Sequence, residues 1–197
     1  MACERDNAAY KKKREKYFRE LSLIPEENRF YIDEAGSNLG MSPIRAWAPI
    51  GERAYDKKPV QRGNNISMVG ALKKSGMEVV YPYDGSVNAE RFVDFLEHKL
   101  KPHVRSGDVL IMDNCSTHHA LIVKDKLKEL SMKVLYLPPY SPELNPIEEG
   151  WSVIKQKLRR KKARNIADYM DGILEAKLAV DSKKSHCLNE LQFSSRS

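Results

Sequence analysis

Hydrophobic positions in the first half of the chain recur at the spacing of β-strands. Residues 29–34 are rich in aromatic and branched side chains and predict a strand that stops at an Ala-Gly pair. Residues 65–72 and 77–83 predict a hairpin, because a short polar segment ending in Gly76 separates them. Residues 44–48, followed by a proline and a glycine, predict a weaker strand. This half is therefore expected to form an antiparallel meander.

In the second half, the spacing of the hydrophobic positions alternates between that of strands and that of helices. Asn88 is predicted to cap a helix over residues 89–101, whose apolar residues recur at i, i+3, i+4 and i+8. Residues 108–112 and 134–137 are short apolar runs typical of buried strands, and residues 120–130 predict a helix between them. Such a strand-helix-strand unit has a right-handed crossover and parallel strands.

Two further helices are predicted over residues 147–161 and 165–180. The expected fold class is therefore α/β, with a mixed sheet made of the three-strand meander and the β-α-β unit, and with helices flanking it. We expect residues 1–27 to be a helical or linker segment and residues 28–180 to be one domain. Residues 181–197 lack a clear pattern and are expected to be a disordered or truncated tail.

The composition narrows the class of protein. No segment approaches the roughly 18 uninterrupted apolar residues of a membrane span, and the N-terminus has no apolar signal region. Cys3, Cys115 and Cys187 show no paired spacing, which favours reduced thiols over a disulfide or zinc framework. We therefore expect a cytoplasmic protein.

The net charge of +7 is concentrated in one stretch. Residues 155–164 hold seven basic residues and no acidic residue, so this basic run alone equals the net charge of the chain. A phosphate backbone would require such a concentration of positive charge, although a solvated helix face is the alternative interpretation. The candidate nucleic-acid contacts are Lys155, Lys157, Arg159, Arg160, Lys161, Lys162 and Arg164.

Three acidic residues lie at the ends of predicted elements. Asp33 closes the apolar run of the first strand, Asp113 follows the strand at 108–112, and Glu148 opens the helix at 147–161. Strand ends in an open sheet converge on one crevice, so these carboxylates can meet there. Carboxylate oxygens are the ligands that Mg²⁺ prefers, and two such ions promote phosphodiester chemistry. The three acids predict a metal-dependent enzyme acting on nucleic acid.

Helix and strand geometry rank the neighbouring acids. On the helix at 147–161, Glu148 lies roughly 90° from the centre of the apolar stripe, whereas Glu149 lies nearly opposite it and should face solvent. Glu34 should point to the opposite face of the first strand from Asp33.

The turn after Asp113 contains further polar residues. Asn114, Ser116 and Thr117 are expected to order the turn and cap the next helix. His118 and His119 are adjacent, which is weak evidence for a zinc site because no further ligands follow at zinc spacing. We therefore treat Asn114, His118 and His119 as candidates to support the metal ligands or contact substrate.

Three motifs together resemble a known family. YIDE at 31–34, IMDNCSTHH at 111–119 and LPPYSPELNPIEEGW at 137–151 are similar to motifs of the DDE transposases of the Tc/mariner superfamily, closest to its bacterial insertion-sequence branch. The 34 residues between Asp113 and Glu148 also match that family. The resemblance covers residues 28–180. It implies an RNase H-like fold, in which residues 44–48 are an insertion between the first two core strands.

The resemblance also implies a mechanism. Asp33, Asp113 and Glu148 would be the catalytic, metal-binding triad, with Mg²⁺ or Mn²⁺ as cofactor and two ions expected. The chemistry would be hydrolysis of double-stranded DNA at transposon ends, followed by attack of the freed 3′-hydroxyl on target DNA. The expected partners are these DNA segments and further copies of the chain, in a homodimer or larger synaptic complex. Because its substrate would be DNA, the resemblance also implies that the protein associates with the nucleoid.

One departure from the family concerns the N-terminus. Members of the family usually carry an N-terminal helix-turn-helix region that recognises the terminal repeats, and the 27 residues before the first strand are too short for one. A separately encoded recognition protein or a fragmentary chain would account for this departure. Two alternatives to the transposase interpretation are a non-catalytic DNA-binding remnant and another RNase H-fold nuclease.

Overall fold

The computed structural model describes residues 8–57, 59, 60 and 63–193. Its core is a five-stranded mixed sheet in the order β3-β2-β1-β4-β5, in which β1, β2 and β3 are antiparallel neighbours while β1, β4 and β5 run parallel. The strands are β1 (Arg29–Asn38), β2 (Asn65–Lys73), β3 (Gly76–Asp84), β4 (Val109–Met112) and β5 (Lys133–Tyr136). The predicted meander and β-α-β unit are therefore confirmed.

Helices cover both faces of the sheet. One face is packed by α2 and α3, and the other by α1, α4 and α5. The helices are α1 (Ala8–Ser22), α2 (Ala89–Asp94, continued by a π-helical segment Phe95–Leu100), α3 (Leu121–Glu129), α4 (Ile147–Lys161) and α5 (Ile166–Phe193). Asn88 caps α2 as predicted, because its side chain accepts a hydrogen bond from the backbone N–H of Arg91 at 3.0 Å. The α/β fold class is confirmed.

The predicted ends of two elements and one predicted strand were wrong. Strand β1 continues through Gly36 to Asn38, because its backbone keeps pairing with β2 as far as Asn65. Residues 44–48 form no strand: both edges of β1 are already taken by β2 and β4, and the segment lies in an exposed loop that includes Trp47. Helix α5 continues to Phe193, well beyond the predicted end at residue 180.

The N-terminal helix packs on the same face of the sheet as α4. Tyr17 is buried in the core that includes Tyr31. The Tyr10 hydroxyl is 2.7 Å from the Ser141 hydroxyl, and Arg14 donates to Glu143 at 2.8 Å. Helix α1 therefore contacts the turn that leads into α4. No helix in the described parts of the chain is both long and apolar enough to cross a membrane.

Helix α4 approaches the sheet at a glycine. Gly70 in β2 lies under the indole of Trp151, and a Cβ atom added at Gly70 would lie 2.5 Å from Trp151 Cη2. Trp151 is 2% exposed. The missing side chain at Gly70 therefore creates the space in which the indole lies, and it fixes the height of α4 above the sheet.

We expect Gly70→Ala to destabilise the protein by about 2 kcal/mol, because overpacking at a rigid ring forces α4 away from the sheet. Urea unfolding measures the loss of stability. In a Trp47→Phe background, Trp151 is the remaining tryptophan, and its emission should shift to longer wavelength in Gly70→Ala.

Gly36→Ala in β1 is the matched control, because a Cβ atom there would meet nothing within 4 Å. Its stability and emission should stay close to those of the parent. Equal stabilities of the Gly70 and Gly36 variants would contradict the packing role assigned to Gly70.

Candidate active site

The sheet places the two predicted aspartates at the same level of neighbouring strands. Tyr31 of β1 pairs with Ile111 of the parallel strand β4, and Asp33 and Asp113 each come two residues later. Because side chains two residues apart share a face of a strand, the alternation in β1 and β4 directs both Asp33 and Asp113 toward the face covered by α4. Asp113 directly follows the last residue of β4, so it lies at the carboxyl end of that strand.

The carboxylate of Asp33 is held by the indole of Trp151, whose Nε1–H donates to Asp33 Oδ2 at 3.1 Å. Burial, with a smaller contribution from the negative charges of Glu148 and Asp113, raises the pKa of Asp33 to about 6 against the opposing effect of its hydrogen bonds. The three predicted carboxylates therefore lie close enough to influence one another.

Glu148 and Glu149 lie in the first turn of α4, which begins at Ile147 directly after Pro146. The backbone N–H of Glu148 donates to the carbonyl of Asn145 at 3.2 Å. Both glutamate side chains are exposed, so burial does not separate them. The charge of Glu148 reaches Asp33, in agreement with the helix-face argument. The assignment of Glu148 to the triad stays a prediction.

Asp113 is bound by the buried imidazole of His118. His118 Nδ1 lies 2.9 Å from Asp113 Oδ1, and the backbone N–H of Cys115 donates to the same oxygen at 3.1 Å. The hydrogen bond with His118 holds the pKa of Asp113 below its usual value, although burial opposes this. Burial by itself lowers the pKa of His118, but its bond to Asp113, together with the nearby Cys115 and the Glu34 carboxylate at 3.6 Å, outweighs burial and raises it. The pair is therefore an imidazolium bound to a carboxylate at neutral pH.

The other nitrogen of His118 faces Glu34. Its Nε2 lies 3.6 Å from Glu34 Oε1, and the His118 side chain is 2% exposed. As predicted, Glu34 points to the opposite face of β1 from Asp33, but its contact with the site was not predicted. The alternation of side chains between the two faces of β1 was the available signal for this contact, because it directs Glu34 toward the face on which the segment after β4 packs.

Asn114 ties the turn after β4 to the end of β5. Its Nδ2 donates to the carbonyl of Leu137 at 2.5 Å, and its Oδ1 lies 3.1 Å from His119 Nε2. The predicted side-chain caps of α3 by Ser116 and Thr117 were wrong. The residue before α3 is Ala120, whose side chain makes no capping bond, and the turn closes through backbone bonds instead.

The predicted basic run divides into two groups. Lys161 pairs with Glu175 and Lys162 with Asp56, each at 2.6 Å. Arg164 donates to the carbonyls of Leu39 and Met41. The members whose side chains form neither a salt bridge nor a hydrogen bond with any residue in the described ranges are Lys155, Lys157, Arg159 and Arg160.

The site fits divalent cations. Asp33 and Asp113 supply hard carboxylate oxygens, and burial makes the negative charge of Asp33 unfavourable, a cost that a bound cation would offset.

Comparison with known proteins agrees with this geometry. A family model described as DDE superfamily endonuclease matches residues 28–169. The chain is 27% identical over 165 residues to the Tcb2 transposase of Caenorhabditis briggsae, a match that covers 78% of this chain and 60% of the relative. It is also 27% identical over 135 residues to an uncharacterized 39 kDa protein of insertion element IS630 from Shigella sonnei, which covers 66% of this chain and 38% of that protein.

Among solved structures, the Mos1 transposase paired-end complex with the left transposon end superposes with a TM-score of 0.63. The sequence identity is 17%, and the match covers 93% of this chain and 62% of the Mos1 chain. This similarity confirms the predicted RNase H-like fold. The chain spans about 60% or less of the length of the curated relatives it matches.

Asp33 predicts a specific dependence of stability on pH. Because its pKa is raised to about 6 in the folded protein, ionising Asp33 costs stability as pH rises from about 4 to 6. We expect Asp33→Asn, which keeps an acceptor for Trp151, to be more stable than the parent by about 2 kcal/mol at pH 7.5 and equal to it below pH 4. Urea unfolding in EDTA at both pH values measures the difference.

Asp113→Asn is the contrasting variant. The pKa of Asp113 is lowered, so its ionised form stabilises the fold at neutral pH and loses that benefit only as pH falls through the folded pKa. This variant should be less stable than the parent at pH 7.5. A gain of stability in both variants would contradict the distinct environments of the two aspartates.

Proposed function

The chain belongs to the DDE superfamily endonucleases, and on that premise we propose that it is the catalytic core of a transposase. It cleaves DNA at transposon ends and joins the freed 3′-hydroxyl to target DNA. The observation that supports the proposal is that Asp33 in β1 and Asp113 after the neighbouring parallel strand β4 lie near each other, and that the charge of Glu148 at the start of α4 reaches Asp33.

In this proposal the triad binds divalent cations. Mos1 paired-end complexes have been solved with Mg and with Mn, which supports the same ions here. Two bound ions would polarise the scissile phosphate and activate the attacking water or hydroxyl. The protein's own contribution is orientation: Trp151 holds Asp33 through its indole N–H, and His118 holds Asp113 through Nδ1. Each carboxylate thus presents a lone pair in a fixed direction.

DNA binding is assigned to the part of the basic run that is free of salt bridges to described residues. Lys155, Lys157, Arg159 and Arg160 lie along the second half of α4, the helix that opens with Glu148. Phosphates bound by these side chains would lie beside the cleavage site without any reading of base sequence. The remaining members of the run bind other parts of the protein instead: Lys161 binds α5, and Lys162 and Arg164 bind the loop after β1.

Recognition of the transposon ends is assigned to a different region. The relatives extend well beyond the matched part, and in our proposal such a region, or a separately encoded partner, recognises the terminal repeats. The paired-end arrangement of Mos1 supports an active dimer or larger synaptic complex.

The test of catalysis is nicking of supercoiled plasmid in Mg²⁺ and in Mn²⁺. We expect Glu148→Gln to lower the rate at least ~100-fold, because it removes a ligand charge from the metal site. Glu149→Gln, one residue along the same turn, is the matched control and should keep most of the activity.

Equal loss in both variants would contradict the assignment of Glu148. A parent protein that binds DNA without nicking it in either metal would favour the non-catalytic alternative. Products with strand-transfer joints, formed when a pre-cleaved end is supplied, would separate a transposase from a simple nuclease.

The test of the DNA surface compares two sets of substitutions. Replacing Lys155, Lys157, Arg159 and Arg160 with Gln should weaken DNA binding and reduce the slope of log K against log salt by about 3. Replacing Lys161 and Lys162 with Gln should leave the slope nearly unchanged, because their charges are already paired. Equal slope changes per residue in the two sets would contradict the division of the run.

A further inference from the structure

A second, chemically different ligand set lies in the turn that carries Asp113. Ligand atoms of Asp113, Cys115 and His118 all lie within 4.8 Å of one another. Cys115 is a free, partly buried thiol, and the His118 side chain is 2% exposed. One oxygen, one sulfur and one nitrogen donor form a set that suits Zn²⁺, whereas the proposed catalytic cations prefer oxygen donors only.

The surroundings of His118 supply an independent observation. Its Nε2 and Glu34 Oε1 are buried atoms that lack a hydrogen-bond partner among the residues described, and they face each other at 3.6 Å. The ring also packs against Phe92, with 4.4 Å between the ring centroids. A carboxylate facing the distal nitrogen is the usual outer partner of a zinc-binding histidine, because it fixes the ring with its other nitrogen directed at the metal.

We propose that Asp113, Cys115 and His118 form a zinc site that inhibits the enzyme by withdrawing Asp113 from the catalytic triad. The inhibitory role rests on the proposed function, whereas the binding site does not. His118 Nδ1, Cys115 Sγ and a carboxylate oxygen of Asp113 bind one Zn²⁺, and a water molecule completes the tetrahedron.

Binding is an exchange of protons for metal and involves no change in oxidation state. Zn²⁺ replaces the proton between His118 Nδ1 and Asp113, Cys115 binds as the thiolate, and the displaced protons pass to solvent. Nε2 keeps its proton and directs it at Glu34. Tetrahedral Zn²⁺ holds its ligand atoms ~3.3–3.8 Å apart. The His118 Nδ1 and Asp113 Oδ1 atoms, now 2.9 Å apart, must therefore separate slightly, while the other separations, all within 4.8 Å, adjust by rotation of the Asp113 and Cys115 side chains.

The consequence for catalysis follows from the shared ligand. Binding of Zn²⁺ rotates the Asp113 side chain toward Cys115 and His118, and this turns its carboxylate away from the cations of the triad. Zn²⁺ should therefore inhibit cleavage without competing for Asp33 or Glu148. The thiolate of Cys115 makes the site selective, because Mg²⁺ binds sulfur poorly.

Co²⁺ is the direct probe of binding, because a cobalt-thiolate bond produces a charge-transfer band in the near ultraviolet. We expect the band in the parent protein and in Cys3→Ser/Cys187→Ser, which keeps Cys115 as its single thiol. Cys115→Ser should lose the band and bind Zn²⁺ at least ~10-fold more weakly in competition with a chromophoric chelator. Glu34→Gln should keep the band but bind Zn²⁺ ~10-fold more weakly.

Inhibition is measured separately as the ratio of nicking rates with and without Zn²⁺ in excess Mg²⁺, each variant against its own rate. The ratio should rise toward one in Cys115→Ser. A band that is absent in the parent, or that persists in Cys115→Ser, would overturn the zinc site whatever the nicking assay gives. A parent that shows the band but does not nick DNA would retain the zinc site and overturn the proposed function instead.

Discussion

The site depends on holding a carboxylate in a place where its negative charge is unfavourable. Asp33 is largely buried beside two other acids, and its pKa is raised to about 6. Trp151 makes this arrangement specific: its indole N–H donates to Asp33, and its ring lies over Gly70, the residue that pairs with Asp33 across the sheet. One side chain therefore determines both the height of α4 above the sheet and the direction of the carboxylate. Because Glu148 is three residues before Trp151 on the same helix, its position follows from the same contact.

The two faces of β1 contribute to the site in different ways. Asp33 points to the face covered by α4, while Glu34 points to the opposite face and meets His118. His118 in turn binds Asp113. Glu34 therefore contacts the site through His118, whereas Asp33, the adjacent residue of the same strand, belongs to the site directly. This arrangement explains how a chain with few polar core residues fixes two aspartates with opposite shifts in pKa. It also brings the thiol of Cys115 close to a buried imidazole, which gives the turn a donor set that differs from that of the triad.

Positive charge in the basic run serves two purposes. Near the end of α4, Lys161 and Lys162 form ion pairs with Glu175 and Asp56, and these pairs attach α5 and the loop after β1 to α4. Nearer the site, from Lys155 to Arg160, the charge is not paired with described acids and can bind phosphate. Because a paired lysine contributes little to the release of counterions, the number of basic residues in a run overstates the size of a DNA interface.

Hydrophobic periodicity by itself determined the order and type of most elements, the bounds of α4, and the placement of Asp113 directly after β4. These are local properties, since a repeat of two or of 3.6 residues reports which side of a segment is buried. Periodicity did not show that β1 continues past Asp33, which lies inside that strand. Tertiary structure decided what the segments pack against. Residues 44–48 had the composition of a strand but no free edge beside β1, whereas Gly36 was drawn into β1 by pairing with β2. The pairing of Glu34 with His118 and the division of the basic run also depend on partners far away in the sequence, and a local pattern contains no record of such partners.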